Sequence, residues 1–95
     1  MSGLSFTASA GKHGVDPRDA VYAMLHHVWH RPRFDEPRQP GGVWPDLWIG
    51  PQRDGRSPLL EVMAEVRPPD VVVVFHVMPA RNKILRLMEG DHGED

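Results

Sequence analysis

Apolar positions divide this chain into short periodic segments separated by polar and proline-rich breaks. Ala20, Val21, Met24, Leu25 and Val28 recur at helical spacing on one face, with Tyr22 and His26 opposite. Asp16-Pro17-Arg18-Asp19 precedes that stripe: an N-cap acid, a proline at the first helical position, and an acid near the positive end of the helix dipole. The pattern predicts a helix from Pro17 to His27. Val28 to Phe34 holds strand formers broken by Pro32 and reads as an edge strand or extended connection. Asp35 to Gly42 is a loop by composition. From Val43 to Gly50, Leu47 and Ile49 point one way and Asp46 and Trp48 the other. Leu59 to Arg67 predicts a strand with Leu60, Val62, Ala64 and Val66 on one face. Val71 to Met78 predicts another, apolar on both faces up to His76. After Pro79, Arg81 to Met88 reads as a short helix grouping Ile84, Leu85, Leu87 and Met88, stopped by Gly90.

The expected architecture is α+β: an antiparallel sheet of three to four strands, an N-terminal helix and a short C-terminal helix. With 95 residues the chain holds one domain, expected over 12–90. Residues 1–11 read as a flexible arm in which Leu4 and Phe6 alone invite docking, and 91–95 as an acidic tail.

Register then predicts which side chains meet. Pairing Val66 with Val71 across the turn sets Val62 against Phe75, Leu60 against Val77 and Ala64 against Val73, an apolar face. It sets Glu61 against His76 on the other face. Pairing Gly50 with Leu59 brings Trp48 beside Glu61. Trp48, Glu61 and His76 are thus expected in a row across three strands; a slip of one residue buries Glu61 and Glu65 instead. A carboxylate beside an imidazole is either an acid–base pair or a plain cross-strand ion pair. Arg81 falls on the apolar side of its helix, three residues after the strand that ends at Met78. It reads as an anion clamp over that row or as a buried partner for Glu61. A sheet covered on one face only leaves its second face partly apolar, so the isolated chain is expected to be less stable than a complex.

Composition narrows the chemistry. Apolar residues make up 40% of the chain, enough for a small core. There is no cysteine, which excludes disulfides, thiolate metal sites and cysteine nucleophiles. The first residues show no basic segment followed by an apolar one, and no run approaches a membrane span, so a cytoplasmic protein without membrane contacts is expected. Net charge is −2, but Glu89, Asp91, Glu94 and Asp95 crowd the last seven residues; without them eleven bases face nine acids. Val71 to Met88 carries Arg81, Lys83 and Arg86 and no acid. That permits a modest basic site for a short RNA and excludes a large phosphate-tracking surface. His26 and His30 are four apart, yet no carboxylate has ligand spacing, so no metal or other cofactor is expected. Arg53 and Arg56 read as phosphate contacts or as solvated. Trp29, Trp44 and Trp48 read as base-stacking or core residues.

Lys12-His13-Gly14-Val15 leads into the first helix, Ile49-Gly50 ends a strand, Leu60-Glu61-Val62 lies in the next, and His76-Val77-Met78-Pro79-Ala80-Arg81 crosses into the last helix. This order, over Lys12 to Met88, resembles the BrnT-type toxins of bacterial type II toxin–antitoxin systems and related small actinobacterial toxin-like proteins. The resemblance implies a RelE-like ribonuclease fold with helices on one face of an antiparallel sheet. It implies metal-independent RNA cleavage that blocks translation and growth. It also implies a cognate antitoxin, often of ribbon-helix-helix type, through which alone operator DNA is bound. On that basis His13, Glu61, His76 and Arg81 are the catalytic candidates, Lys12 and Arg53 are phosphate contacts, and Trp48 and Lys83 join them as RNA-binding candidates. The competing reading is a non-catalytic module that docks a protein partner on the sheet face holding Trp48, Met63 and Met78.

Overall fold

The computed structural model describes residues 3–92. It is α+β, with a five-stranded mixed sheet in the order β1-β5-β4-β3-β2. Gly3–Phe6 (β1) runs parallel to Val71–Pro79 (β5); Trp29–Arg31 (β2), Asp46–Gly50 (β3), Leu60–Arg67 (β4) and β5 follow one another antiparallel. The helices are Pro17–Leu25 (α1) and Asn82–His92 (α2). No helix among the described residues is long and apolar enough to cross a membrane.

The helix start at Asp16 is as its residues predict: the carboxylate accepts from the Arg18 backbone N–H, and Pro17 occupies the first turn. Three expectations change. The N-terminal segment is not a loose arm. Gly3–Phe6 adds a parallel fifth strand, and Ala8–Gly11 forms a 3₁₀ turn whose Ala10 is buried. The sheet is therefore mixed and larger than three or four antiparallel strands. Helix α2 runs through Gly90 rather than stopping there, and Asp91 accepts from the Trp29 indole N–H at 2.7 Å instead of starting a free tail. Residues 93–95 of the expected tail lie outside the described residues.

The third change is register. Gly50 pairs with Leu60 and Trp48 with Val62, one residue from the expected pairing. Arg67 pairs with Val71, so the β4–β5 turn is tighter than expected. A bulge follows: Ala64 pairs with Val74 but Met63 with His76, leaving Phe75 as the extra residue. The Ser9 hydroxyl donates to the Phe75 carbonyl at 2.8 Å and ties the 3₁₀ turn to the bulge.

Both faces are covered, contrary to a sheet with one face left open. On the first, Trp48, Leu60, Val62, Ala64, Val74 and Val77 pack under α1. On the second, Trp29, Leu47, Ile49 and Met63 pack with Ile84 of α2, with Phe34 and Phe75 alongside. This second layer takes in Glu61 and Glu65, both buried. The segment between β2 and β3 is strapped over it by Arg38, whose guanidinium lies 4.3 Å from the Phe75 ring centre and whose Nε donates to Glu65 at 3.0 Å. Burial pushes the Glu65 carboxyl up, but hydrogen bonds from Arg67 and Arg38 outweigh it and hold the group below its ordinary range.

Helix α1 sits close to the sheet because its contact residues are small. Ala20 and Ala23 are fully buried, and Gly50 faces the Ala23 backbone with no room for a Cβ. Gly50→Ala is expected to push α1 off β3 and lower stability by about 1–3 kcal/mol, the usual cost of overpacking. Urea denaturation checks this; an unchanged midpoint contradicts the close-approach account.

Candidate functional site

Glu61, His76 and Arg81 meet on the second face of the sheet. They come from β4, from β5 and from the residue that opens α2. Glu61 pairs directly with Met78, and His76 with Met63, so Glu61 and His76 are diagonal neighbours rather than opposite ones. His76 Nε2 still lies 2.8 Å from Glu61 Oε2. The Arg81 backbone N–H donates to Oε1 at 2.8 Å, its Nε to both oxygens at 3.1 Å, and its Nη2 to Oε2 at 2.7 Å. The Arg81 carbonyl accepts from Ile84 and Leu85, so the carboxylate sits against the positive end of α2.

Glu61 is wholly buried, His76 is 23% exposed and Arg81 38%. Burial pushes the Glu61 carboxyl up. Hydrogen bonds from His76 and Arg81, and the guanidinium charge, overcome it and bring the group down to about 2. At neutral pH it is therefore an ionised, accept-only group. That fixes one role of the imidazole: Nε2–H donates to Glu61, and Nδ1 is the ring nitrogen left outside that bond. Both Glu61 oxygens are taken and no part of it meets solvent, so it is not placed to take a proton from a substrate. It positions His76 and Arg81. Arg81 is the partner of Glu61 but is not itself buried; with its exposed surface it also lines a cleft beside Lys83.

His13 approaches from the segment between the 3₁₀ turn and α1. Its ring centre lies 6.2 Å from that of His76, edge-on at 78°. His13 and Lys12 are exposed. The arrangement offers a fixed imidazole with an open nitrogen, a second imidazole at its edge and nearby cations. Those are the parts for moving two protons about a charged oxyanion or phosphoryl group.

Two candidates leave the site. Trp48 lies on the opposite face of the sheet, paired with Val62 and 8% exposed, so it is absent from the Glu61–His76 row. His30 covers it, with ring centres 4.6 Å apart and planes at 3°, and the His30 Nε2 lies 2.9 Å from Asp46. The alternation of Trp48 with Leu47 and Ile49 was legible, but which face it took depended on register. Arg53 is engaged with α1: its Nε donates to Asp19 at 2.8 Å and its Nη2 to Asp16 at 3.2 Å, so it clips the β3–β4 loop to the helix start. Hydrogen bonds from Arg18, with the Arg18 and Arg53 charges, hold the Asp16 carboxyl at about 2. Lys83 is exposed on α2. No group of three metal-ligating side chains is present among the described residues.

The Arg38–Glu65–Arg67 cluster was not singled out from the residues. Its signal was present: Glu65 lies four residues from Glu61 and so shares its face of the strand.

The acid limb of stability follows from Glu61. Its carboxyl falls from an ordinary 4.5 to about 2 in the fold, so the stabilisation is complete above pH 4.5 and is lost as pH drops to about 2. The expected size is on the order of 3 kcal/mol. Other depressed acids contribute to the same limb, so the measurement is a difference: Glu61→Gln is destabilised at pH 7, and its gap from wild type closes as pH falls toward 2. Guanidinium midpoints across pH 2–7 check it; a constant gap contradicts the assignment.

No protein-family model, no curated protein and no solved structure matches this chain.

Proposed function

We propose that this protein is a metal-independent endoribonuclease, the toxin of a type II toxin–antitoxin pair with a RelE-like, BrnT-type organisation. The observation that carries the reading is the His13–His76 pair, with His76 held by a buried, ionised Glu61 and Arg81 beside it. His76 Nδ1 takes the proton of a ribose 2′-hydroxyl, and the 2′-oxygen attacks the adjacent phosphorus. The bond to the leaving 5′-oxygen breaks, and protonated His13 supplies its proton. The products are a 2′,3′-cyclic phosphate and a 5′-hydroxyl. Arg81 and Lys12 stabilise the charge that builds on the phosphoryl oxygens. Glu61 orients rather than reacts. A cognate antitoxin, of ribbon-helix-helix type by the resemblance, covers the site and carries the contact with operator DNA; the cytoplasm is where both would act.

A second reading has its own support. Glu61 is wholly buried and its charge is satisfied inside the chain, which is also how a structural ion cluster in a non-catalytic binding module looks. The two readings separate on His76 and His13. Under the nuclease reading, His76→Ala and His13→Ala each lower RNA cleavage about 10²–10⁴-fold; His13→Ala keeps the wild-type melting temperature, whereas His76→Ala lowers it because Glu61 loses a donor, so its cleavage is read at a temperature where circular dichroism shows it folded. Gel analysis of cellular RNA after expression, with growth as the second readout, measures it. Intact RNA with wild-type protein, or undiminished cleavage by both folded variants, rejects the nuclease.

A further inference from the structure

The face of α2 that looks toward β2 and the β2–β3 segment carries two adjoining clefts. The first, about 360 Å³, has a floor of Phe34 and Met63 and a rim of Asp35, Arg81 and Lys83. The second, about 530 Å³, lies between Arg31 of β2 and Arg86 and Asp91 of α2. Leu87 borders both, so the two clefts adjoin at its side chain and are taken together as the α2 groove.

The groove opens from the candidate site. Arg81 belongs to both, and Met63 pairs with His76 on the neighbouring strand, ~4.8 Å away. Its charge is chiefly positive. Arg81 shares its charge with Glu61, while Lys83, Arg86 and Arg31 are exposed cations. Of the two acids, Asp91 accepts from the Trp29 indole at 2.7 Å and Asp35 from the Glu36 backbone N–H at 2.8 Å. Lys83 and Arg86 are ~4.5 Å apart along the helix axis on one side of α2, and Arg31 faces Arg86 across the second cleft, which gives two separate cationic positions along the groove. Between these cations lie the half-buried Phe34 ring and Leu87, which is 43% exposed: an apolar floor for a base.

We propose that this groove seats the single-stranded RNA flanking the cleaved bond, with one phosphate at Lys83, the next between Arg31 and Arg86, and a base on Phe34. The assignment rests on the nuclease reading for its choice of RNA over an acidic protein segment, and its test does not depend on cleavage. A fluorescein-labelled, 2′-O-methyl eight-nucleotide RNA, which cannot be cut, is titrated by anisotropy at several salt concentrations. The variant Arg31→Ala/Lys83→Ala/Arg86→Ala is expected to bind about 10- to 100-fold more weakly than wild type. Its slope of log affinity against log salt should be shallower by about 1.4, at ~0.7 for each lost phosphate contact. Lys83→Ala alone should lose about half of that slope. Binding through the groove by a wild-type protein that cuts no RNA sustains the groove as a seat for single-stranded RNA and removes the nuclease. Unchanged affinity and slope in the triple variant overturn it, as does a groove that binds an eight-residue glutamate peptide and not the RNA.

Discussion

One buried carboxylate joins three elements. Glu61 on β4 accepts from His76 on β5 and from both the backbone and the side chain of Arg81, where α2 begins. An ionised carboxylate with no solvent contact is tolerable only when each oxygen is answered by donors, and here a guanidinium fork, an imidazole and a peptide N–H supply them. The same contacts fix where α2 leaves the sheet, so Ile84 lands on Leu47, Ile49 and Met63 and closes the second core layer. Removing either partner leaves a charge stranded in that layer.

That closure gives the protein two interiors rather than one. Under α1 the packing is apolar throughout, built on the close approach of Ala20, Ala23 and Gly50. Under α2 the layer is mixed, with Glu61 and Glu65 each held by arginines and Phe75 capped by Arg38. The mixed layer reaches the surface at His76, Arg81 and the groove along α2, where fixed polar groups meet solvent. A charge-compensated edge of this kind presents polar groups whose dipoles are already oriented by their partners. His13 completes the edge only because β1 and its 3₁₀ turn carry the N-terminal chain past β5.

Much of this was legible along the chain. The capped start at Asp16-Pro17, the alternation in Asp46–Gly50 and the valine run of β5 are local signals, and each element formed close to where they indicate. The coming together of Glu61, His76 and Arg81 also followed from local pattern: an acid and an imidazole on adjoining strands, and an arginine on the apolar side of the next helix. Periodicity did not reveal which face Trp48 would take, that Arg53 would clip the β3–β4 loop to α1, or that Gly3–Phe6 would be a strand. Four exposed or half-exposed residues carry no periodic signal strong enough to compete with the small, polar composition around them.

Sequence by itself determined the types and order of the elements from α1 onward and the chemical identity of the acid–imidazole–guanidinium cluster, because helix caps, strand alternation and turn residues act over a few neighbours. Tertiary structure decided the register, the parallel β1 and the burial of both acids. A one-residue slip reverses every side chain of a strand, and the bulge at Phe75 changes the pairing again, at little cost to local preference. The slip turned β3 over, putting Trp48 under α1 and Leu47 and Ile49 under α2, while both acids kept the face that the alternation of β4 indicates and were buried there by the second layer.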